Sequence, residues 1–295
     1  MPATPAEIDR PNLRLALPKG RMQVGVLALL DEAGIKVRID DRGYRPTVSL
    51  DGYDIKILKP QNIVEMLHFG SRDVGFAGAD WVAELDADLV ELLDTGLDPV
   101  RIVAAAPHAL VTPEGGLPTH HLIVAGEYQR LTRQWITARG LDATFVRSYG
   151  ATEVFPPEDA DVIVDNTATG STLRANGLAI VEDVMRSSTR LYANQRALDD
   201  PHKKQAIDHL VLLVRSVLEA RHRVMLELNV SAADLDRLIE ILPCMRHPTI
   251  ARLHHEDAYA VKAAVPRATL PNLIPELKAR GGSDIIISNL SQIVP

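Results

Sequence analysis

The sequence predicts an α/β fold, with a mostly parallel sheet covered by helices over residues 1–220 and a ferredoxin-like βαββαβ unit over residues 221–295. Three observations point there. Apolar runs of strand length alternate with helical stretches that stop at glycine, the pattern of strands buried on both faces beneath crossover helices. The final segment reads strand, helix, strand, strand, helix, strand, which is the split-βαβ order. The 295 residues also amount to about two domains at roughly 150 residues each.

Leu13 to Leu17 reads as the first buried strand. Pro18-Lys19-Gly20-Arg21 turns the chain into a helix from Met22 to Ala33, stopped by Gly34, a residue that tolerates left-handed backbone. Ile55 to Leu58 is a second strand, and Pro60-Gln61-Asn62 opens a helix that ends at Gly70. Asp73 to Ala77 returns as a third strand and completes a βαβ unit, after which Gly78-Ala79-Asp80 caps a short helix. Beyond the Pro- and Gly-rich stretch 107–118, Leu122 to Ala125 opens a second set of units, with a helix from Tyr128 to Arg139 closed by Gly140. Hinges between two lobes are expected near 100–118 and 180–190. Asp199 to Arg221 is the longest helical pattern, with Pro201 tolerated in its first turn. The last unit follows as a strand (Arg223 to Val230), a helix capped by Ser231 (Ala232 to Leu242), two strands (Thr249 to His254, Ala258 to Val265), a helix ended by Gly281-Gly282 (Leu270 to Arg280) and a strand (Asp284 to Ser288).

Apolar residues make up 46% of the chain and charged residues 24%, a balance that excludes disordered, collagen-like and membrane-spanning classes. Thirty-two Lys and Arg against 39 Asp and Glu leave a net charge of −7, so no overall positive field is available to hold a nucleic acid. Any phosphate must be met locally. One cysteine, Cys244, cannot form an internal disulfide, and Glu7 and Asp9 stand where a signal peptide needs apolar residues, so a cytoplasmic location is expected.

The most informative segment is 161–177. An apolar strand ends in Asp165, hydroxyls follow at Thr167, Thr169, Ser171 and Thr172 around Gly170, and a helix begins. Free amides and the positive end of a helix dipole attract anions, glycine allows close approach, and the hydroxyls add neutral donors. Asp165, at the C-terminal end of its strand, lies where open α/β sheets bind ligands, and would meet ribose hydroxyls or a metal ion. No lysine follows the glycine as in a Walker A loop, and no G-x-G-x-x-G occurs. A ligand-free Ser/Thr-capped helix uses the same groups, so these residues alone leave a phosphate site and a structural cap both open.

The segment resembles the phosphoribosyl-diphosphate loop of the ATP phosphoribosyltransferases, the first enzymes of histidine biosynthesis, whose pattern is Asp-x-x-x-Thr-Gly-x-Thr-Leu. Further motifs follow in order. Leu15-Ala16-Leu17-Pro18-Lys19-Gly20-Arg21 resembles the family's first strand and basic turn, and Lys59-Pro60-Gln61-Asn62-Ile63 its Arg/Lys-Pro-Gln-Asp-Ile element. Residues 73–80 are similar to Asp-Leu-Gly-Ile-x-Gly-x-Asp, 150–153 to Gly-x-x-Glu, and 173–178 to Leu-x-x-Asn-Gly-Leu. The C-terminal residues resemble the ACT-like regulatory domain of the family's long form, with Cys244 in place of the glycine in Leu-Pro-Gly-Met-x-x-Pro-Thr. Asn166-Thr167-Ala168 likewise departs from Leu/Val-Val-Ser.

The resemblance implies a two-lobed catalytic region like a type II periplasmic binding protein, joining ATP to 5-phosphoribosyl 1-diphosphate with Mg²⁺ on the phosphates. It implies Asp165 and Thr169 as catalytic residues, with Thr167, Ala168, Gly170, Ser171 and Thr172 gripping the 5-phosphate, and Arg21, Asp80 and Glu153 on the ATP side. It also implies feedback inhibition by L-histidine at Asn229, Met245 and Thr249, and a homo-oligomer of dimers that can form hexamers.

Other groups carry less. Lys19 and Arg21 stand at a helix start, where cations oppose the dipole. A solvated basic turn is one reading; the other is a binding role, because an arginine fork suits a diphosphate or triphosphate and the resemblance places Arg21 in the nucleotide site. Lys59 reads as a solvated strand end. His120-His121 and His254-His255 alternate across strands and cannot easily share one ion. Asp161 and Cys244 read as structural. A non-enzymatic ligand sensor would share two lobes and an effector domain, but no helix-turn-helix with a basic face accompanies them.

Overall fold

The computed structural model describes residues 13–39, 46–113 and 115–294. These fall into two compact units, one built from residues up to Ala28 with Ile35–Asp208, the other from Leu29–Gly34 with the chain from His209 onward. Among the described residues, no helix is long and apolar enough to cross a membrane.

The elements up to the first lobe's end are β1 (Leu13–Pro18), α1 (Arg21–Glu32), β2 (Val37–Arg38), β3 (Thr47–Val48), β4 (Tyr53–Leu58), α2 (Pro60–His68), β5 (Val74–Gly78) and α3 (Ala79–Glu84). Then come β6 (Val90–Pro107), β7 (Leu122–Gly126), α4 (Gln129–Arg139), β8 (Ala143–Arg147), β9 (Val162–Thr167), α5 (Ser171–Ala175), β10 (Leu178–Ala193), α6 (Gln195–Asp199) and α7 (Pro201–Arg221). The strands form one sheet in the order β4-β1-β5-β10-β6-β9-β7-β8, with β2 and β3 pairing separately. The pairs β1·β4, β1·β5, β7·β8 and β7·β9 are parallel, as the apolar runs predict.

Two long antiparallel strands at the centre, β6 and β10, join the parallel halves into a mixed sheet with two lobes. Of the hinges expected near 100–118 and 180–190, residues 100–107 and 180–190 lie inside continuous strands, and residues beyond 107 follow the end of β6. The β6–β10 register shifts there, as between Ile180 and Glu182 and between Ser187 and Thr189, and such irregularities twist a strand without cutting its ladder. The expected helix from Asp199 also divides. Asp200 is extended because Pro201 disfavours helical backbone in the residue before it, so α6 ends and α7 starts afresh.

Leu13, Leu15, Leu17, Ile57 and Phe76 are fully buried, each contributing about 1.5–3 kcal/mol of transfer free energy. Beside them lies an ion cluster around the buried Asp73. Asp73 accepts from the Arg14 backbone at 2.8 Å, from Arg14 Nε at 3.0 Å and Nη2 at 2.7 Å, and from Lys203 Nζ at 2.9 Å. Burial pushes the Asp73 carboxyl up, but these donors outweigh it and hold it below the usual range. The cluster ties β1 and the start of β5 to α7.

The C-terminal unit contains β11 (Arg223–Ser231), α8 (Leu235–Ile239), β12 (Thr249–Arg252), β13 (Ala258–Pro266), α9 (Leu270–Ala279) and β14 (Ser283–Asn289). Its sheet order is β12-β13-β11-β14 with every neighbour antiparallel, which is the expected ferredoxin-like arrangement. Val224, Leu226, Leu228 and Val230 alternate into a core with Leu238, Leu273 and Leu277. The helix expected over 232–242 is shorter. Ser231 Oγ accepts the Asp234 amide at 3.2 Å and closes a turn before α8 instead of capping a helix at 232.

Candidate active site

α3 follows β5 directly, and Gly78 is its N-cap. A Cβ on Gly78 would stand 2.1 Å from Asp80 Oδ1, so glycine is needed for the Asp80 carboxylate to fold back over its own helix start. Asp80 is buried and both its oxygens accept hydroxyl hydrogens, Oδ1 from Ser187 at 2.6 Å and Oδ2 from Tyr128 at 2.7 Å. The Asp80 amide donates to Ser187 Oγ at 3.0 Å. Tyr128 comes from the other lobe, immediately before α4, and its ring lies 4.8 Å from that of Trp81. It makes no side-chain cap for α4. Glu84 of α3 supplies the cap, accepting the Arg130 and Leu131 amides at 3.0 Å each, so the two lobes share one helix terminus.

Burial, the Asp80 charge and its hydrogen bond together push the Tyr128 phenol far above its ordinary range, so it remains a donor. Asn166 Nδ2 then donates to the Tyr128 hydroxyl and to Asp165 Oδ1, each at 3.2 Å, and the Asn166 amide donates to the same Asp165 oxygen at 2.6 Å. Lys19 from the β1–α1 turn, Arg21 at the start of α1, Asp80, Tyr128, Asn166 and Ser187 bound a cavity of about 160 Å³.

Asp165 is half-buried on β9. Burial pushes its carboxyl up to about 6, opposed by hydrogen bonds from Asn166 and Thr152 and reinforced by the negative charges of Glu127 and Glu153. The carboxylate is thus ionised at neutral pH but held in a place that disfavours the charge. The hydroxyl loop follows. Thr167 is buried and its Oγ1 accepts the Gly170 amide at 2.9 Å, while Thr169 Oγ1 donates to Ser171 Oγ at 3.0 Å. Gly170 has φ +73°, a left-handed conformation that other residues adopt at a cost. Ala168, Thr169, Ser171 and Thr172 are exposed. α5 has only five residues, so its dipole is small, and the loop's hydroxyls and backbone are what it offers an anion.

Arg21 and Asp80 thus meet at one cavity beside Asp165. Glu153, expected with them, is not among the residues bounding that cavity and lies close enough to Asp165 to act on its charge. Asp161 accepts the Ile123 amide at 2.7 Å, a structural role. His121 pairs with Asp142, and among the described residues no group of three or more His, Cys, Asp or Glu is placed to hold a metal ion. Sequence reasoning missed Tyr128, Ser187 and the part played by Asn166. Tyr128 reads as an ordinary helix start, and Ser187 sits in a strand whose alternation is broken by bulges.

In the C-terminal unit, Asn229 and Thr249 line one cavity of about 250 Å³ together with Lys262 and Asp284. Asn229 Nδ2 donates to Asp284 Oδ2 at 3.0 Å. Met245 is not among the lining residues and is partly exposed.

Comparison with known proteins decides the lineage. The family described as HisG: ATP phosphoribosyltransferase matches residues 59–216, and HisG, C-terminal domain matches residues 220–292. The ATP phosphoribosyltransferase of Pelodictyon phaeoclathratiforme is 35% identical over 288 residues, covering 96% of this chain and 97% of that one. The chain belongs to the ATP phosphoribosyltransferase family. It is a transferase of histidine biosynthesis, as the ordered motifs predict. The ATP phosphoribosyltransferase of Pelotomaculum thermopropionicum is 36% identical over 290 residues, 96% of this chain and 100% of its own. The ATP phosphoribosyl transferase (HisG:HisZ) complex from Thermotoga maritima is similar in fold, with a TM-score of 0.61 at 23% identity over 69% of this chain and 98% of that one. That likeness supports the two-lobed fold.

Proposed function

We propose that the chain joins N1 of ATP to the anomeric carbon of 5-phosphoribosyl 1-diphosphate, releasing diphosphate, at the cleft between its two lobes. The observation that carries this reading is the cavity where Lys19, Arg21 and Asp80 of one lobe meet Tyr128 and Asn166 of the other, next to Asp165. As the bond to diphosphate breaks, positive charge develops on the ribose, and a neighbouring carboxylate stabilises it. Asp165 takes that place and accepts hydrogen bonds from the ribose hydroxyls, with Glu153 beside it. Thr167 to Thr172 hold the 5-phosphate, the exposed hydroxyls of Thr169, Ser171 and Thr172 donating to it while Thr167 keeps the loop closed through Gly170. Arg21 and Asp80 orient ATP, the guanidinium fork suiting a polyphosphate. Since adenine N1 already carries the attacking lone pair, the rate comes from positioning and charge stabilisation.

Mg²⁺ belongs in this reading as part of the substrates, carried on their phosphates, which it naturally bridges. The finer assignment extends to control. L-histidine binds the C-terminal unit at the cavity of Asn229 and Thr249, where an amide and a hydroxyl can meet its amino and carboxylate groups. The protein works as a homo-oligomer, through which that binding reaches the catalytic cleft. Mass-spectrometric detection of phosphoribosyl-ATP after incubation with both substrates and Mg²⁺ tests the catalytic reading, and loss of inhibition in Thr249→Ala tests the regulatory one.

A further inference from the structure

We propose that Tyr128 and Asn166 are positioning residues that link the nucleotide-side carboxylate, Asp80, to the ribose-side carboxylate, Asp165, and so fix the distance between the two reacting substrates. The inference rests on the reading of the cleft given above. The link is a continuous chain of hydrogen bonds with one direction available to each proton. Ser187 and Tyr128 both donate to Asp80, at 2.6 and 2.7 Å. The Tyr128 oxygen, having spent its hydrogen, accepts from Asn166 Nδ2 at 3.2 Å, and the same nitrogen donates to Asp165 Oδ1 at 3.2 Å. An amide nitrogen has two hydrogens, and this geometry uses one on each side.

Three features make this more than packing. Asp80 and Tyr128 are buried, so their bond is made away from competing water. Tyr128 is held from both sides, by the Trp81 ring at 4.8 Å and by the Glu84 cap on the helix it begins. Asn166 reaches both neighbours through the single nitrogen Nδ2, so one side-chain amide joins the Tyr128 hydroxyl to Asp165. An aliphatic side chain at 166 could make neither of the two side-chain contacts. Transfer requires N1 and the anomeric carbon to approach to about 3–3.5 Å with aligned orbitals, and misplacement by about 1 Å can cost on the order of a hundredfold. A link between the groups that orient each partner acts on that approach and little on either binding step alone.

The test is steady-state kinetics on Tyr128→Phe, Asn166→Ala and the double variant, with phosphoribosyl-ATP formation as the readout and thermal unfolding as a parallel check. Tyr128→Phe keeps the ring against Trp81 and removes only the hydroxyl. Each single variant should lower kcat about tenfold with both KM values within about twofold of wild type, because positioning is realised in the transition state. The double variant should be no slower than the slower single variant, since both break the same chain. If Tyr128→Phe does not fold, Asn166→Ala at its exposed position carries the test. Kcat within twofold of wild type in the folded variants, a loss appearing only in KM, or losses that multiply in the double variant would each overturn the inference. An inactive wild-type protein would instead overturn the proposed reaction.

Discussion

Replacing Asp73 with asparagine should destabilise the first unit by about 3 kcal/mol. Breaking a buried ion pair costs roughly 3–5 kcal/mol because it strands the partner charge. Asp73 itself is 3% exposed, but Arg14 and Lys203 are 34% and 24% exposed and can recover some hydration, which favours the lower end. An amide cannot imitate the carboxylate in either orientation. Oδ1 accepts from Arg14 Nη2 and Lys203 Nζ, and Oδ2 from the Arg14 backbone and Nε, so the new NH₂ would face two donors whichever way it turned. For a unit of this size, about 2–4 °C of melting temperature per kcal/mol gives a fall of about 6–12 °C. Thermal unfolding followed by circular dichroism across pH checks the charge component. The Asp73 carboxyl is held below its ordinary range, so its contribution is present above the unfolded value of about 3.9 and is lost as pH falls through the lower folded value. The gap between wild type and variant should therefore persist from pH 8 to 5 and narrow only below about pH 4. A gap under 2 °C at pH 7, or one that closes between pH 7 and 5, would refute the reasoning.

Four further outcomes are expected. With its carboxyl pushed up to about 6, Asp165 loses its charge as pH drops through that value, so kcat/KM for 5-phosphoribosyl 1-diphosphate should fall toward tenfold per pH unit below it; a flat profile to pH 5 would contradict a role for the ionised form. The same shift predicts that Asp165→Asn unfolds at a higher temperature than wild type at pH 7, since it removes a charge the site disfavours. EDTA should stop the reaction and excess Mg²⁺ restore it, with no metal retained after dialysis; full activity in EDTA would remove the ion from the account. Thr249→Ala should keep kcat within about twofold while losing sensitivity to L-histidine, and unchanged inhibition would place the inhibitor elsewhere.

What the sequence made legible was local. Alternation of Val224, Leu226, Leu228 and Val230 declared a half-buried strand, and the Asp165-to-Thr172 pattern declared a polar loop at a strand end. The long strands β6 and β10 were harder. Asp94, Gly96, Asp98 and Pro99 break the apolar signal of β6 before the run Ile102–Ala106, and bulges shift the phase of β10, so hydrogen bonding to neighbours, which no local period records, sustains them. The cleft was half legible for the same reason. Arg21, Asp80 and Asp165 sit in motifs, whereas Tyr128 meets Asp80 across 48 residues and Ser187 meets it across 107. Asn166 read as a departure from a pattern, and its contacts give it a purpose that only the approach of two lobes supplies.

The most direct test of the account is a single incubation of the purified protein with ATP, 5-phosphoribosyl 1-diphosphate and Mg²⁺, analysed by mass spectrometry for phosphoribosyl-ATP and in parallel for released diphosphate, with Asp165→Ala and Thr169→Val as companions. The account predicts equimolar products from the wild type and strongly reduced turnover in both folded variants. Wild-type rates in both variants would contradict the site, and diphosphate released without phosphoribosyl-ATP would contradict the reaction.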